Sequence, residues 1–328
     1  MGKFSTKILD CTLRDGGYVI DWMFGIKNIE SIIRHLHLAK IDFIECGFLK
    51  DLPENTDKTF FKTIFDIKAF ASQDINLCLM VNYGEYDISN FPECESKNIK
   101  IRVAFKKHNQ EKALEYISKL IDLDWDVFVN PMSTNTYSEE ELFQLIEKIN
   151  RIKPYGITIV DTLGNMYEQQ VLNIFELIDK NLNKDISIGF HSHNSMQLSF
   201  SNTKALLKMG VKRDIIIDSC LYGMGRGAGN LCTELIAKYL NDNYGSDYEI
   251  LPILKTIDEN IKPFYNKKSW GYSTPYYIAA IHGCHPNYAA ELVKENFSDE
   301  EIDRIMRLIP LENKTSFDKN ILLSLAKK

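Results

Sequence analysis

Residues 156–193 read GITIVDTLGNMYEQQVLNIFELIDKNLNKDISIGFHSH. A short apolar, β-branched run at 156–161 gives way to an amphipathic stretch at 166–181, then to a second apolar run at 186–193. That order predicts strand, helix, strand. A crossover of this length pairs its strands in parallel, because a hairpin would need only a few residues.

The same unit recurs on both sides. Further strand candidates lie at 7–11, 42–47, 76–82, 100–105, 126–130 and 214–219. Helical patterns occupy 25–39, 57–72, 109–121, 138–150, 196–209 and 229–241. The interval 84–98, containing GEYDISNFPECES, reads instead as a short turn-rich connection. Ser138 three residues before Glu141 forms a capping box, in which hydroxyl and carboxylate satisfy each other's orphan amides at a helix start. Gly210 follows ALLKM, where glycine takes the left-handed turn that ends a helix. Eight such units predict a closed (β/α)8 TIM barrel rather than an open doubly wound sheet. Beyond residue 245 the rhythm changes to helical patterns at 250–260 and 297–309 around an aromatic stretch. Ser298 before Glu301 is another helix start, and 320–328 reads as a last short helix. The expected organisation is a barrel over 1–245 and a mainly helical extension over 246–328 packed on it.

Composition removes several function classes. The 328 residues are 45% hydrophobic and 26% charged, ordinary for a globular protein with a large core. A net charge of −6 provides no basic stripe for nucleic acid. Seven irregularly spaced cysteines form neither a disulfide framework nor a zinc motif, which fits a reducing cytosol. With no apolar run near membrane-span length and no leader-like start, a soluble cytoplasmic protein is expected.

Polar residues gather at the C-terminal ends of the strands, the face on which barrel enzymes build their sites. His191 and His193 are two apart on one strand, so both imidazoles point into one space. Two imidazoles and a carboxylate suit a divalent ion with positions left open for ligand. Asp15, at the end of the first strand and brought near by barrel closure, is the carboxylate chosen. The alternative for the histidines is a hydrogen-bonded pair at a strand end.

TLRDGG at 12–17, HSHN at 191–194 and GAGN at 227–230 together resemble the DRE-TIM metallolyases, over roughly residues 8–240. In look the chain is most similar to the 4-hydroxy-2-oxovalerate aldolases of that superfamily. The resemblance implies a divalent cation on Asp15, His191 and His193, with Asn230 completing the shell in some members. Mn²⁺ is expected first, with Mg²⁺, Co²⁺ or Zn²⁺ as alternatives. It implies that Arg14 holds an enolate oxygen, for which the alternative is a barrel-end ion pair with Glu45 or Asp161. Glu45 would orient Arg14 or serve as a structural ion-pair partner. Arg102 would bind a substrate carboxylate or act as a buried strut. Thr162 would bind a substrate oxygen or cap a turn. Tyr276 would line the entrance or fill a helix–barrel interface.

The chain also departs from those relatives. Where the oxovalerate aldolases carry an acid/base histidine two residues after RDG, Tyr18 stands here. Tyr18 is therefore a candidate catalytic group, with His108, Tyr272, His282 and His285 as others. The loop 223–230, GMGRGAGN, is shorter than that of the 3-hydroxy-3-methylglutaryl-CoA lyases and has no cysteine, which counts against that activity.

The expected function is a metal-dependent aldolase acting on 4-hydroxy-2-oxo acids through a pyruvate enolate. A Claisen-type acyl-CoA-dependent synthase and a non-catalytic barrel binding a metal–ligand complex are the alternatives. The partners expected are a small 2-oxo acid and an aldehyde, with a homodimer as the assembly. An aldehyde dehydrogenase partner, implied by the aldolase resemblance, is left open.

Overall fold

The computed structural model describes residues 5–53, 55–70 and 75–326. Eight parallel strands form the barrel wall: β1 (Thr6–Asp10), β2 (Phe43–Leu49), β3 (Leu77–Asn82), β4 (Ile99–Phe105), β5 (Asp126–Pro131), β6 (Gly156–Asp161), β7 (Ser187–Ser192) and β8 (Ile215–Ser219). Each pairs with its sequence neighbour, and β1 pairs with both β8 and β2, which closes the cylinder. The seam is uneven. Five residues of β1 are in register with β8 but only two, Leu9 and Asp10, with β2. Inward and outward faces of these strands are both covered, so their runs are apolar throughout rather than alternating.

Six of the eight units carry the expected helix: α1 (Ile26–Leu38), α2 (Gln110–Asp122), α3 (Glu139–Ile152), α4 (Glu168–Asn181), α5 (Ser199–Leu207) and α6 (Thr233–Tyr244). The Ser138–Glu141 capping box forms at the start of α3, and Gly210 takes φ +62° beyond α5. The interval 84–98 contains one short 3₁₀ turn, Ile88–Asn90, as its composition suggests.

The helix expected at 57–72 does not form in its described part. Phe60–Phe61 adds two extended residues to the edge of β2, and a 3₁₀ turn follows at Ile64–Ala69, while residues 71–72 lie outside the described residues. Tertiary hydrogen bonds hold the backbone out of a helix there. The buried Thr59 hydroxyl donates to the Leu13 carbonyl at 2.7 Å, and the Thr59 carbonyl accepts from the Phe48 amide at 3.0 Å. Close approach is possible because residue 47 is glycine. Its φ is +151°, and a Cβ there would lie 2.0 Å from the Thr59 oxygen. The register between β2 and β3 shifts at the same place, between Glu45 and Gly47.

After α6 the chain continues as α7 (Ile250–Thr256), followed directly by a π turn at Ile257–Ile261. Ile253, Ile257 and Ile261 belong to the same core as the barrel. A second core gathers Ile278, Tyr288, Leu292, Ile302, Ile305, Met306 and Leu322 from α8 (Thr274–Ile281), α9 (Pro286–Lys294), α10 (Asp299–Leu308) and α11 (Lys319–Ala326). The capping box of Ser298 and Glu301 starts α10. Among the described residues no helix is long and apolar enough to cross a membrane.

Candidate metal centre

The turn after β1 carries the first half of the site. Its backbone is fixed from below: the Asp15 amide donates to the Cys11 carbonyl at 2.7 Å, and the Thr12 hydroxyl accepts the Leu221 amide at 2.8 Å. The turn is thereby tied to the end of β8. From the other side, the Trp22 indole donates to the Arg14 carbonyl at 2.8 Å. Arg14 and Asp15 are thus presented side by side, buried, at the C-terminal end of the barrel.

β7 and the residue after it supply the second half. The His191 and His193 rings lie 5.1 Å apart and nearly perpendicular. Their Nε2 atoms stand 3.6 and 4.0 Å from Asp15 Oδ2, and the three ligand atoms all fall within 4.8 Å of one another. On each ring the other nitrogen is engaged: His191 Nδ1 with Asp218 Oδ2 at 3.0 Å, and His193 Nδ1 with the Gly229 carbonyl at 3.3 Å. A proton on Nδ1 leaves the Nε2 lone pair facing the carboxylate, the arrangement a metal-ligating histidine needs. Asn230 closes the set. Its amide nitrogen donates to Asp15 Oδ1 at 3.0 Å, and its buried Oδ1 has no partner. A nitrogen–nitrogen–oxygen donor set beside an orphaned amide oxygen fits a divalent cation.

The charges explain how so much polarity is tolerated underground. Burial pushes the Asp15 carboxyl upward, but Arg14 and the two histidines overcome it and hold the group well below the usual range. Burial also works against protonated His191, yet contacts with Asp15 and Asp218 leave its pKa raised. His193 goes the other way, pushed down to about 3 chiefly by burial despite Asp15.

Behind these ligands runs a chain of buried ion pairs. Arg14 Nη1 meets Asp15 at 2.5 Å, and its Nε meets Glu45 Oε2 at 2.7 Å. Arg102 lies 3.1 Å from the same Glu45 oxygen and 2.5 Å from Asp218, and bonds Asn130 Oδ1 at 3.1 Å. Glu45 thus holds Arg14. Arg102 connects Glu45 with Asp218, and its side chain also borders the cavity. The sequence alone does not single out Asp218. The available signal is one carboxylate inside the apolar run Ile215–Ser219.

Above the ligands opens a space of about 520 Å³ bordered by Arg14, Asp15, Tyr18, Arg102, Thr162 and both histidines, among others. Thr162 accepts the Ser133 amide at 2.8 Å, the turn cap, while still bordering that space. Tyr18 stands at its rim, edge-on to Trp22. Tyr276 is placed elsewhere, against the second core and beside Gly227. Of the other proton-transfer candidates, His282 pairs with Asp303 at 2.7 Å and Tyr272 is exposed on the extension. His108, His282 and His285 border a wider outer cleft instead. There the buried His285 accepts the Asn287 amide and is pushed down to about 2 by burial, with Arg226 and His193 adding to the effect.

Known proteins share this architecture. The chain is 25% identical over 249 residues to a 4-hydroxy-2-oxovalerate aldolase of Geobacillus genomosp. 3, covering 74% of this chain and 72% of that protein. Among solved structures, the N-terminal domain of a Bacteroides vulgatus protein described as a candidate aldolase superposes with a TM-score of 0.73. Its identity is 25%, and the match covers 88% of this chain and 96% of that one. The HMG-CoA lyase of Brucella melitensis shares the fold, with a TM-score of 0.63 at 14% identity over 81% of this chain and 99% of that one. The HMGL-like family model matches residues 5–247, the full barrel with the turn, histidine pair and glycine loop that build the centre, and the chain belongs to that family.

Proposed function

We propose that the protein is a divalent-metal-dependent aldolase that forms or cleaves 4-hydroxy-2-oxo acids through the enolate of pyruvate. The observation that carries this reading is the convergence of Asp15, His191 and His193 on one point, with the Arg14 guanidinium against the same carboxylate. Curated relatives named 4-hydroxy-2-oxovalerate aldolase support it. Asp15, His191, His193 and the Asn230 amide oxygen would hold the ion, with Mn²⁺ our first choice. When bound, it would supply Lewis-acid polarisation of the two oxygens that a 2-oxo acid presents. Arg14, fixed by Glu45 before substrate arrives, offers donors where negative charge grows on the ketone oxygen, so no reorganisation is needed at that moment. Tyr18, on the rim of the cavity, is the group we assign to proton transfer. Phe48, Met80 and Val160 in the lining limit water around the reacting carbon.

Exchange of the methyl protons of pyruvate in D₂O, followed by mass spectrometry with and without Mn²⁺, tests the reading. Metal-dependent exchange is expected, falling by about 10²-fold or more in Arg14→Ala. Exchange untouched by that substitution would remove the enolate mechanism. Free thiol released from acetyl-CoA with a 2-oxo acid, without pyruvate exchange, would replace it by a Claisen synthase.

A further inference from the structure

The space over the ligands is continuous with a much larger cleft. Tyr18, Asn82, Ala104, Met132, Thr162 and Arg226 border both. The outer cleft, bordered by the Leu311–Phe317 segment and the residues around His285, is open to solvent and spans about 2670 Å³ with that open space counted, more than pyruvate and a two-carbon aldehyde occupy. Arg226 thus stands where the two spaces meet.

That arginine is provided with little by the protein itself. Its guanidinium lies 5.0 Å over the Tyr18 ring, and its Nε is buried with no acceptor. Among the described residues no hydrogen bond or ion pair engages its side chain. This contrasts with Arg14, Arg102 and Arg213, each of which is held by a carboxylate. Two further cations on the cleft wall also lack a carboxylate. Lys106 donates to the Ser316 hydroxyl at 2.7 Å and Lys314 to the His282 carbonyl at 2.9 Å. The acids on that wall do not balance them, since Glu85 is already paired with Lys50 and only Glu312 is left. A planar fork stacked on an aromatic ring and left without an acceptor is suited to a carboxylate or phosphate brought by a ligand.

We propose that Arg226 binds an anionic group on the aldehyde half of the substrate, so that the 4-hydroxy-2-oxo acid carries a second negative charge at the end remote from its 2-oxo acid head. The assignment rests on the aldolase reading above. In the synthetic direction the methyl proton of pyruvate goes to a base and one carbon–carbon bond forms to the aldehyde carbon. The aldehyde oxygen takes up a proton, and nothing is oxidised or reduced. Arg226 positions the electrophile, and Lys106 and Lys314 favour the entry of anions.

Binding measured by calorimetry on the Mn²⁺-loaded protein tests this without turnover. 2-Oxoadipate and 2-oxohexanoate share head and chain length and differ only in the remote carboxylate. The diacid is expected to bind about tenfold tighter or more, with the gap closing in Arg226→Gln and partly kept in Arg226→Lys. Equal affinity of the two acids, or loss of both by one factor in Arg226→Gln, overturns the assignment; the second result would place the arginine on the 2-oxo acid head. Addition of pyruvate to succinic semialdehyde, glyceraldehyde 3-phosphate and butanal then separates carboxylate from phosphate by kcat/KM. Butanal serving as well as either anion overturns the proposal while leaving the aldolase intact. No addition to any aldehyde and no pyruvate exchange, with the diacid gap present, rejects the aldolase and keeps the anion site.

Discussion

Asp218 sits behind His191 and outside the cavity lining, and its effect on the centre is indirect. It accepts from the imidazole on one side and from Arg102 on the other, so it fixes which nitrogen of His191 faces Asp15. Asp218→Asn is expected to lower Mn²⁺ affinity by about 10- to 100-fold, read by chelator competition, with the fold retained. Unchanged affinity would mean that the ring needs no such support. Asp10 offers a test on stability. Burial raises its pKa from 3.8 to about 6, against hydrogen bonds from Thr233 and Thr12. Between those values the native chain binds more protons than the unfolded one, so this group makes stability fall as pH rises from about 4 to 6. The loss levels off above that, at no more than about 3 kcal/mol. Asp10→Asn should flatten the dependence between about pH 4 and 6 in urea titrations. A residual slope is expected from Asp161, whose pKa is also raised to about 6 by burial. Identical slopes for both proteins would refute the assignment. At this scale the residues of the candidate centre are legible because HxH and TLRDGG are local patterns. Asp218 and Arg226 are not, since their meaning lies in what they face across the barrel.

Among the elements, the strands could be read from the chain almost to the residue, because each apolar run is buried on both faces. The second unit shows what periodicity cannot see. Phe61, Ile64 and Ile67 have a spacing that suits a helix, and all three are indeed buried. The backbone that buries them follows Thr59 and Gly47 instead, a contact set by residues well separated in sequence. Gly47→Ala should therefore destabilise the fold by about 2 kcal/mol or more, because the obstructing atom is a backbone carbonyl that cannot rotate away. Wild-type stability in chemical denaturation would show that β2 can shift to make room. Local signals fared better where both partners are close in sequence, as in the capping boxes of Ser138 and Ser298.

For the whole molecule, the two separate cores define how it should open. Helices α8 to α11 bury their own cluster, whereas α7 and the π turn after it share the barrel's. Native-state hydrogen exchange is expected to show the amides of 274–326 exchanging together, through an opening less costly than the one that exposes β4 and β5. Uniform protection across both regions would make them one cooperative unit. Leu311–Phe317, which borders the outer cleft, lies within that region, and its amides are expected to exchange with it. The glycine loop after β8 links these layers. Asn230 donates to the Asp15 carboxylate of the candidate centre, and four residues earlier Arg226 faces the outer cleft. On the proposed reading one short segment would meet both the ion and the remote anion, and any factor by which the ion raised the affinity of a long, doubly charged ligand would be returned by that ligand to the ion.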